Sequence, residues 1–259
     1  MSHPDDLSFE SQLFPGRRQS ALALYYSPGA CSLAAHIALR EAGLRFELRR
    51  TAIAQGEHLR PEYLAVNPRG RIPTLVIRGT PVTELSAILG WIASRSRGLM
   101  PPRGTLEALQ CAVWLAWFTS AVHISFALIW RGARFLDDAD LHPLLRNKGL
   151  ATLRQQLGEI EARLAAHDYL VADRYSVADC NALVFYRWAS RVGFDVRSAF
   201  PAWTRHAERL LERPAVRAAL QVEDIEIWAQ PDAPFVAGGS TGTPNPLRPA
   251  APAPAAQAR

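Results

Sequence analysis

The amino-acid sequence predicts a two-domain protein, in which a small α/β sheet domain is followed by an all-helical bundle. Short apolar runs typical of strands alternate with helical spacing up to about residue 97, and the pattern after residue 105 is helical. Between them, 98–104 holds two prolines and two glycines, which is the composition of a linker. We therefore assign 21–97 to the sheet domain and 105–228 to the helical domain.

The elements of the first half follow from the places where turns interrupt the apolar runs. The first run has aromatic content that suits a buried strand, and the helical spacing after it continues to Gly43, a natural helix stop. Asn-Pro-Arg-Gly at 67–70 is a turn sequence. We predict strands at 22–26, 46–51, 73–77 and 81–83 and helices at 31–42, 60–66 and 84–94. The resulting order is βαβ followed by ββα.

The second half has helical spacing throughout and predicts a bundle. Its predicted helices lie at 106–130, 143–166, 177–190, 201–212 and 214–221. We expect the first of them to bend near Gly132. Ser176 and Asp179 form a Ser-x-x-Asp capping box at a helix start, so their predicted role is in folding rather than in catalysis.

Composition places the chain among globular proteins. Hydrophobic residues make up 49% and charged residues 20%, which is enough apolar content for a core. The net charge of +5 comes from scattered arginines rather than from a basic block, so we expect no nucleic-acid partner, although the mild positive field favours small anionic ligands. We expect no membrane span either, because no apolar run reaches the roughly 20 residues that a span needs.

Cysteine usage and the chain ends indicate the compartment. The three cysteines, Cys31, Cys111 and Cys180, are far apart and form no Cys-x-x-Cys pair, so we predict neither a disulfide framework nor a metal site. This usage fits a reducing, cytoplasmic location, and the N-terminus lacks the features of a secretory signal. We interpret 1–20 as a flexible extension and 229–259, rich in proline and alanine, as a disordered tail.

The turn after the first strand is the first candidate functional feature. Pro28 and Gly29 turn the chain, so Cys31 falls at a helix N-terminus or within one residue of it. Unpaired N–H groups and the positive end of the helix dipole predict a lowered pKa for the Cys31 thiol and a place for an anion. The alternative is that Cys31 is a small buried side chain that fills space.

Two further motifs in this half offer contacts to a ligand. Arg-Ile-Pro at 71–73 puts a proline at the start of a strand, which leaves the preceding backbone groups free for a ligand, often beside a cis bond. Thr-Glu-Leu at 83–85 puts Glu84 at a helix start, where it either caps its own helix or binds a ligand. Together with Cys31, these motifs suit a peptide-like anion whose free amine pairs with Glu84.

Three stretches of the first half carry a resemblance to a known family. They are Tyr-x-x-Pro-Gly-Ala-Cys-Ser at 25–32, Ala-Val-Asn-Pro-Arg-Gly-Arg-Ile-Pro-Thr-Leu at 65–75 and Thr-Glu-x-x-Ala-Ile-Leu at 83–89. In combination they resemble a bacterial glutathione transferase, and the cysteine at the first helix is similar to that of the beta class. The resemblance spans about 22–221. It implies a thioredoxin-like glutathione-binding domain followed by an all-α domain, which is the glutathione transferase fold.

The resemblance also implies roles for single residues. Cys31 and His123 would face the glutathione thiol, whereas a lone histidine on an apolar helix is otherwise a buried core residue. The residues implied to bind glutathione are Ile72, Pro73, Glu84, Leu85 and Gln55. Leu85 and Ala116 depart from the residues usual in the family. These departures imply weaker glutathione binding, because one lost charge-assisted hydrogen bond is worth about 1.5–3 kcal/mol.

The implied function is detoxification by glutathione transfer, with glutathione as co-substrate and no metal. The glutathione thiolate attacks a small hydrophobic electrophile held by the helical domain. Cys31 either hydrogen-bonds that thiolate or forms a mixed disulfide with it, and Ala34 excludes an intramolecular disulfide of the Cys-x-x-Cys kind. Two alternatives are a glutathione-dependent thiol–disulfide oxidoreductase or peroxidase and a non-catalytic protein that binds apolar ligands.

The aromatic residues of the long first helix of the bundle have several possible places. Most of them are expected in the core or in an interface, and one or two in the pocket for the electrophile. They are Trp114, Trp117, Phe118, Phe126 and Trp130. The resemblance further implies a homodimer.

Overall fold

The structure, a computed structural model, describes residues 21–228, so the predicted extensions at 1–20 and 229–259 lie outside the described residues. The first half folds as an α/β sheet unit. Its strands are β1 (Leu22–Tyr26), β2 (Glu47–Arg50), β3 (Thr74–Ile77) and β4 (Thr80–Val82), and its helices are α1 (Ser32–Glu41), α2 (Pro61–Leu64) and α3 (Leu85–Ala93). These elements confirm the predicted βαβ–ββα order, with small differences at their ends. Two short 3₁₀ turns, Ile53–Gln55 and Glu57–Leu59, were not predicted.

The sheet has the strand order β2-β1-β3-β4. β1 runs parallel to β2 and antiparallel to β3, with Leu24 opposite Leu48 on one side and Leu75 on the other. All five residues of β1 are buried, because both of its neighbours are strands and both faces of the sheet are covered. The end of β1 therefore leads out of the middle of the sheet, directly into the turn that carries Cys31.

The second half is helical, as predicted. Its helices are α4 (Leu106–Trp117), α5 (His123–Trp130), α6 (His142–Ala166), α7 (Val177–Arg191), α8 (Val196–Ala199), α9 (Pro201–Leu211) and α10 (Pro214–Glu223). The predicted long helix is continuous from α4 to α5 but contains a π-helical turn at Phe118–Val122. The prediction of a bend near Gly132 is wrong, because Arg131 leaves the helical conformation with φ −138° and ends α5.

Helix α7 is the centre of the bundle, and its residues from Val177 to Ser190 are all buried. The predicted capping box starts it: the Ser176 N–H donates to Asp179 Oδ2 at 2.8 Å, and the Ala178 N–H donates to Ser176 Oγ at 3.3 Å. Asp179 also accepts from the Leu170 N–H at 3.1 Å and pairs with His206 Nε2 at 2.9 Å. A buried carboxylate with this many partners is a structural group, as predicted.

The two halves pack against each other through α1, which lies against α7 and α10. A single cluster of buried apolar side chains runs from the sheet into the bundle, from Leu24 and Leu33 to Phe185 and Leu210. Because the helix that begins beside Cys31 is wedged between sheet and bundle, both halves determine the surroundings of that cysteine.

The expectation that no apolar run reaches the length of a membrane span is wrong. The helical stretch Leu106–Trp130 is 25 residues long and contains an 18-residue window with a mean hydropathy of 1.7, which is long and apolar enough to cross a membrane by length and composition alone. Only 39% of that window is buried within the chain. The outward side of α4 presents Leu106, Leu109 and Val113, which are 67%, 60% and 58% exposed.

Candidate functional site

Cys31 lies at the N-terminus of α1, as the sequence predicted. The turn before it closes with a hydrogen bond from the Ala30 N–H to the Ser27 carbonyl at 3.0 Å, and Gly29 supplies a φ of +68°. Cys31 occupies the N-cap position of α1 and is 7% exposed. Its thiol donates to the carbonyl of Ile72 at 3.4 Å. The turn thus points the sulfur at the loop before β3, not at its own helix.

The prediction of a lowered thiol pKa at Cys31 is wrong. Burial raises the pKa of the Cys31 thiol to about 11, because the thiolate would lose its hydration. The positive charge of Arg131 and the N–H groups of Cys31 and Ser32 act in the opposite direction but are smaller, and Glu84 adds to the rise. At neutral pH Cys31 is therefore a protonated thiol, which donates a hydrogen bond more readily than it attacks.

Side chains of the helical half fix the Cys31 turn through hydrogen bonds to the backbone of Gly29. The Gly29 N–H donates to Glu223 Oε2 at 2.8 Å, and the Gly29 carbonyl accepts from Trp188 Nε1 at 2.8 Å. A Cβ at this position would come within 2.7 Å of the Arg187 guanidinium. The other oxygen of Glu223 pairs with His36 Nδ1 at 2.9 Å. Both peptide groups of the turn are thereby fixed by side chains of the other half.

Hydrogen bonds also fix the loop whose Ile72 carbonyl accepts from the Cys31 thiol. The Ile72–Pro73 peptide bond is cis, as the sequence suggested. The carbonyl of Arg71 accepts from Asn67 Nδ2 at 2.7 Å and from the hydroxyl of Tyr63. Ile72 precedes β3, so within the described residues its N–H has no ladder partner. The backbone of Ile72 is thus presented toward the Cys31 side, where an extended peptide can pair with it.

Glu84 does not cap its own helix. Of the two interpretations that the sequence allowed, capping and ligand binding, the structure therefore removes the first. It sits at the N-cap of α3 with φ 66° and ψ 113°, and its side chain makes no capping hydrogen bond. Non-glycine residues with positive φ cost energy and cluster at functional sites. The Glu84 carboxylate is half exposed and lies 3.7 Å from Arg69, a weak surface pair, while Leu85 behind it is buried.

His123 is placed by the π-helical turn at Phe118–Val122, after which it begins α5. Such turns are rare and frequently occur at functional sites. Its ring packs edge-on against Trp188 and Phe185, with centroids 5.2 and 6.3 Å apart. Within 21–228, no hydrogen bond joins His123 to Cys31, although Trp188 touches His123 and also holds Gly29.

The electrostatic surroundings of His123 are strongly positive. Its pKa is lowered to about 4, first because burial disfavours the charged imidazolium and then because Arg131, Arg134 and Arg71 repel it. His123 is therefore neutral at physiological pH. The charge of Arg131 acts on Cys31 as well, so both predicted catalytic residues share one basic neighbour.

Gln55 stands apart from the other predicted site residues. It ends the 3₁₀ turn Ile53–Gln55, is exposed, and makes no side-chain hydrogen bond within the described part of the chain. Ala116 likewise lies exposed on α4. The structure thus brings Cys31 into contact with Ile72 and leaves Gln55 at the surface of the loop that follows β2.

The aromatic residues of the first bundle helix divide between core and site. Phe118 and Phe126 are fully buried. Trp114 and Trp117 are partly buried and pack on the same core. Trp130 is also partly buried and stands edge-on to Trp188 at 5.2 Å, on the side of His123. Trp130 is therefore the member of this set that is best placed beside the predicted site.

Sequence reasoning missed the residues that come from the far end of the chain. Glu223 and Trp188 contact the Cys31 turn across 194 and 159 positions of sequence. In the sequence, Glu223 is an ordinary acid near a helix end and Trp188 an apolar residue of a helix. Arg131 is one of many scattered arginines. None of the three has a local pattern that distinguishes it.

Comparison with known proteins gives a consistent assignment. The family model for the glutathione S-transferase N-terminal domain matches residues 29–95, and that for the C-terminal domain matches 145–214. A glutathione S-transferase of Xanthomonas campestris, GST-4.5, is 32% identical over 206 residues, covering 79% of this chain and 100% of that protein.

Two solved structures extend the comparison. A sphingomonad glutathione S-transferase complexed with glutathione is 33% identical with a TM-score of 0.69, over 79% of this chain and 100% of that one. A bacterial beta class glutathione S-transferase from Sphingomonas chungbukensis is 33% identical with a TM-score of 0.68, over 78% of this chain and 98% of that one.

Proposed function

The chain belongs to the glutathione S-transferase family, and we propose from this premise that the site around Cys31 activates the glutathione thiol. It is a glutathione transferase, with glutathione as its co-substrate. The observation that carries the proposed site is the meeting of the Cys31 thiol with the Ile72 carbonyl at 3.4 Å. It joins the first helix to the loop whose backbone is open to an extended peptide.

Glutathione would lie along this loop with its γ-glutamyl end at α3. The Glu84 carboxylate is available for the free amine, since it caps no helix and is only weakly paired. The first N–H groups of α3, beginning at Leu85, favour the γ-glutamyl carboxylate. The N–H of Ile72, next to Pro73, would pair with the peptide backbone, and Gln55 would reach the glycine end from the neighbouring loop.

The role we propose for Cys31 is to donate a hydrogen bond. Because its pKa is raised to about 11, it keeps its proton at neutral pH. On glutathione binding the thiol would turn from the Ile72 carbonyl to the glutathione sulfur and stabilise the thiolate there. Neutral His123 has one ring N–H that can do the same, and the field of Arg131 favours the anion.

The electrophile would enter from the bundle side. The rings of His123 and Trp130 are partly exposed and form an aromatic surface there, each packed edge-on at 5.2 Å against the buried Trp188. An apolar electrophile on this surface would present its reactive atom to the glutathione sulfur. The thiolate forms the new C–S bond, the leaving group departs with the electron pair, and the thiol proton passes to solvent.

A pH titration of bound glutathione tests this role. The ultraviolet absorbance of the thiolate reports the apparent pKa of the glutathione thiol in the complex. We expect it below the value in buffer for the wild type and about 1–2 units higher in Cys31→Ala, because one charge-assisted hydrogen bond is lost. Cys31→Ser, which keeps a donor, should fall between them, and Cys111→Ala should resemble the wild type.

The same variants separate the competing chemistries. Cys31→Ala with an unchanged glutathione pKa would contradict the proposed donor role. If oxidised glutathione leaves an adduct on Cys31, detectable by intact-mass measurement, Cys31 has displaced one glutathione and the oxidoreductase alternative gains support. The high thiol pKa favours the transferase, since a nucleophilic cysteine needs a lowered one.

We further propose that the protein is a cytoplasmic homodimer. Leu106, Leu109 and Val113 recur at helical spacing and form an exposed apolar stripe on α4. A second copy of the chain would cover this stripe, which accounts for the high hydropathy of Leu106–Trp130 without a membrane. Sedimentation should show Leu109→Glu as a monomer. Leu144→Glu, which changes an equally exposed leucine on α6, should stay dimeric.

A further inference from the structure

Three arginines at the edge of the proposed site have no acidic partner. Arg71, Arg131 and Arg134 are all exposed, and among residues 21–228 no carboxylate lies within ion-pair distance of any of them. A backbone hydrogen bond joins Arg134 to Arg131, and Arg71 adjoins Ile72, whose carbonyl accepts from Cys31. The charges of Arg71 and Arg131 each lower the pKa of Arg134, so we treat the three guanidinium groups as one cluster. Like charges without nearby counter-charges repel each other, and an anion bound among them relieves that repulsion.

The cluster lies beside the reacting groups, not elsewhere on the surface. Arg71 directly precedes Ile72, whose carbonyl accepts from Cys31. Arg131 directly follows Trp130, the last residue of α5, whose ring lies 5.2 Å from that of Trp188. Trp188 in turn donates to the carbonyl of Gly29, two residues before Cys31. The charge of Arg131 also acts on the titration of both Cys31 and His123, which agrees with this placement.

Arg134 continues the cluster outward from Arg131. The Gly132–Arg134 3₁₀ turn is closed by a hydrogen bond from the Arg134 N–H to the Arg131 carbonyl at 2.9 Å. An aromatic residue flanks each end of this segment. Trp130, which stacks on Phe126 with centroids 5.3 Å apart, precedes it, and Phe135, 40% exposed, follows it. The segment that carries both arginines therefore lies between two aromatic side chains, one of which belongs to the surface on which the electrophile would lie.

We propose that the electrophile of this transferase is amphiphilic, with an anionic carboxylate-type group on an aromatic or similarly apolar frame. Arg131 and Arg134 bind the anionic group, and the partly exposed ring of Trp130 contacts the frame. The reactive carbon then faces the glutathione sulfur beside Cys31. This inference rests on the proposed function and narrows its substrate class. The carboxylate takes no part in the reaction: the thiolate forms the C–S bond, the halide or other leaving group departs, and no electrons are exchanged with a further reagent.

Glutathione itself carries carboxylates, so the same arginines could serve it. The γ-glutamyl carboxylate already has a place at the start of α3, beside Leu85. The remaining glycine carboxylate would need one cation, whereas the cluster has three. The experiment must still separate the two sources of negative charge, and it does so by changing the electrophile while glutathione stays the same.

A matched pair of electrophiles tests the inference. In 4-chloro-3,5-dinitrobenzoate and its methyl ester the same carbon is attacked and the same chloride leaves, but only the acid is anionic. For each, kcat/KM is divided by the rate with glutathione alone in buffer, which removes the difference in intrinsic reactivity. We expect the wild type to favour the acid over the ester, and added salt to reduce this preference because it screens the guanidinium charges.

The variants assign the preference to the cluster. Arg131→Gln and Arg134→Gln should each lower the acid-to-ester ratio by about tenfold or more, the effect of one lost charge-assisted hydrogen bond. Arg131→Lys, which keeps the charge, should retain part of the preference. Arg103→Gln in the linker changes an exposed arginine that has no ion pair with any residue of 21–228, and it should leave the ratio unchanged. Circular dichroism confirms that each variant is folded.

Other outcomes overturn the inference in distinguishable ways. A wild-type ratio near one, or a ratio that survives both glutamine substitutions, means that the cluster does not bind the electrophile. A rise in KM for glutathione with the ratio intact assigns the arginines to glutathione instead. If the wild type accelerates neither electrophile above the buffer reaction while glutathione fails to bind, the proposed function itself is wrong.

Discussion

Glu223 is the residue whose substitution should reveal most about how the bundle supports the site. Its carboxylate is 3% exposed and accepts from the Gly29 N–H at 2.8 Å. It also pairs with His36 Nδ1 at 2.9 Å. His36 Nε2 accepts from Arg40 Nε, so the ring proton is on Nδ1 and points at Glu223. One buried carboxylate therefore satisfies two buried donors.

The expected loss in the free energy of unfolding follows from the two donors that Glu223 satisfies. Glu223→Ala leaves the Gly29 N–H and the His36 N–H without partners, and each buried unsatisfied donor costs about 1–3 kcal/mol. We expect the free energy of unfolding to fall by about 3–5 kcal/mol, as when one partner of a buried pair is removed. Glu223→Gln can accept only one of the two bonds and turns its NH₂ group toward the other donor, so we expect a loss of about 1.5–3 kcal/mol.

Urea unfolding followed by tryptophan fluorescence measures these losses, at one fixed protein concentration because a dimer's stability depends on it. Glu226→Gln is the matched control, since that side chain is exposed three residues further along. Conjugation of glutathione to the methyl ester above should fall in Glu223→Gln, because the turn that carries Cys31 is no longer held at Gly29. A Glu223→Ala protein within about 0.5 kcal/mol of the wild type would refute the reasoning.

Three other predictions follow from the same structure. The pKa of His123 is about 4 in the folded protein, below its ordinary value, so the unfolded state binds more protons between pH 6.5 and 4 and stability falls as the pH drops through that range. By pH 4 the loss is about 3 kcal/mol, which urea unfolding of the wild type should show and His123→Gln should lack. With a pKa of about 11, Cys31 should react with iodoacetamide at neutral pH about 100-fold more slowly than an unperturbed thiol, as measured by peptide mass mapping. Asp179→Asn should lower the free energy of unfolding by about 2–4 kcal/mol without changing KM for glutathione, while Asp173→Asn at an exposed pair should change stability by less than about 0.5 kcal/mol.

The local features of the fold could be predicted because their causes are local. Helix spacing and turn residues place α1 directly after β1 and put Cys31 at its start. The Ser176–Asp179 capping box starts α7 through bonds between residues at most three apart. The cis bond before Pro73 and the acid at the start of α3 also follow from short motifs. The resemblance to glutathione transferases rests on the same motifs.

Only the tertiary structure decided the chemistry of the site, because burial and charge depend on residues distant in sequence. The local view of Cys31, a thiol at a helix start, predicts a lower pKa. Packing of the bundle against α1 removes water from the sulfur, and that desolvation outweighs the helix start and Arg131. The hydrogen bond from the Gly29 N–H to Glu223 and the influence of the Arg71 and Arg131 charges on the pKa of Arg134 likewise have no local pattern. The sequence determined the position of the Cys31 sulfur at the start of α1. The packing of the two domains determined that this thiol keeps its proton at neutral pH.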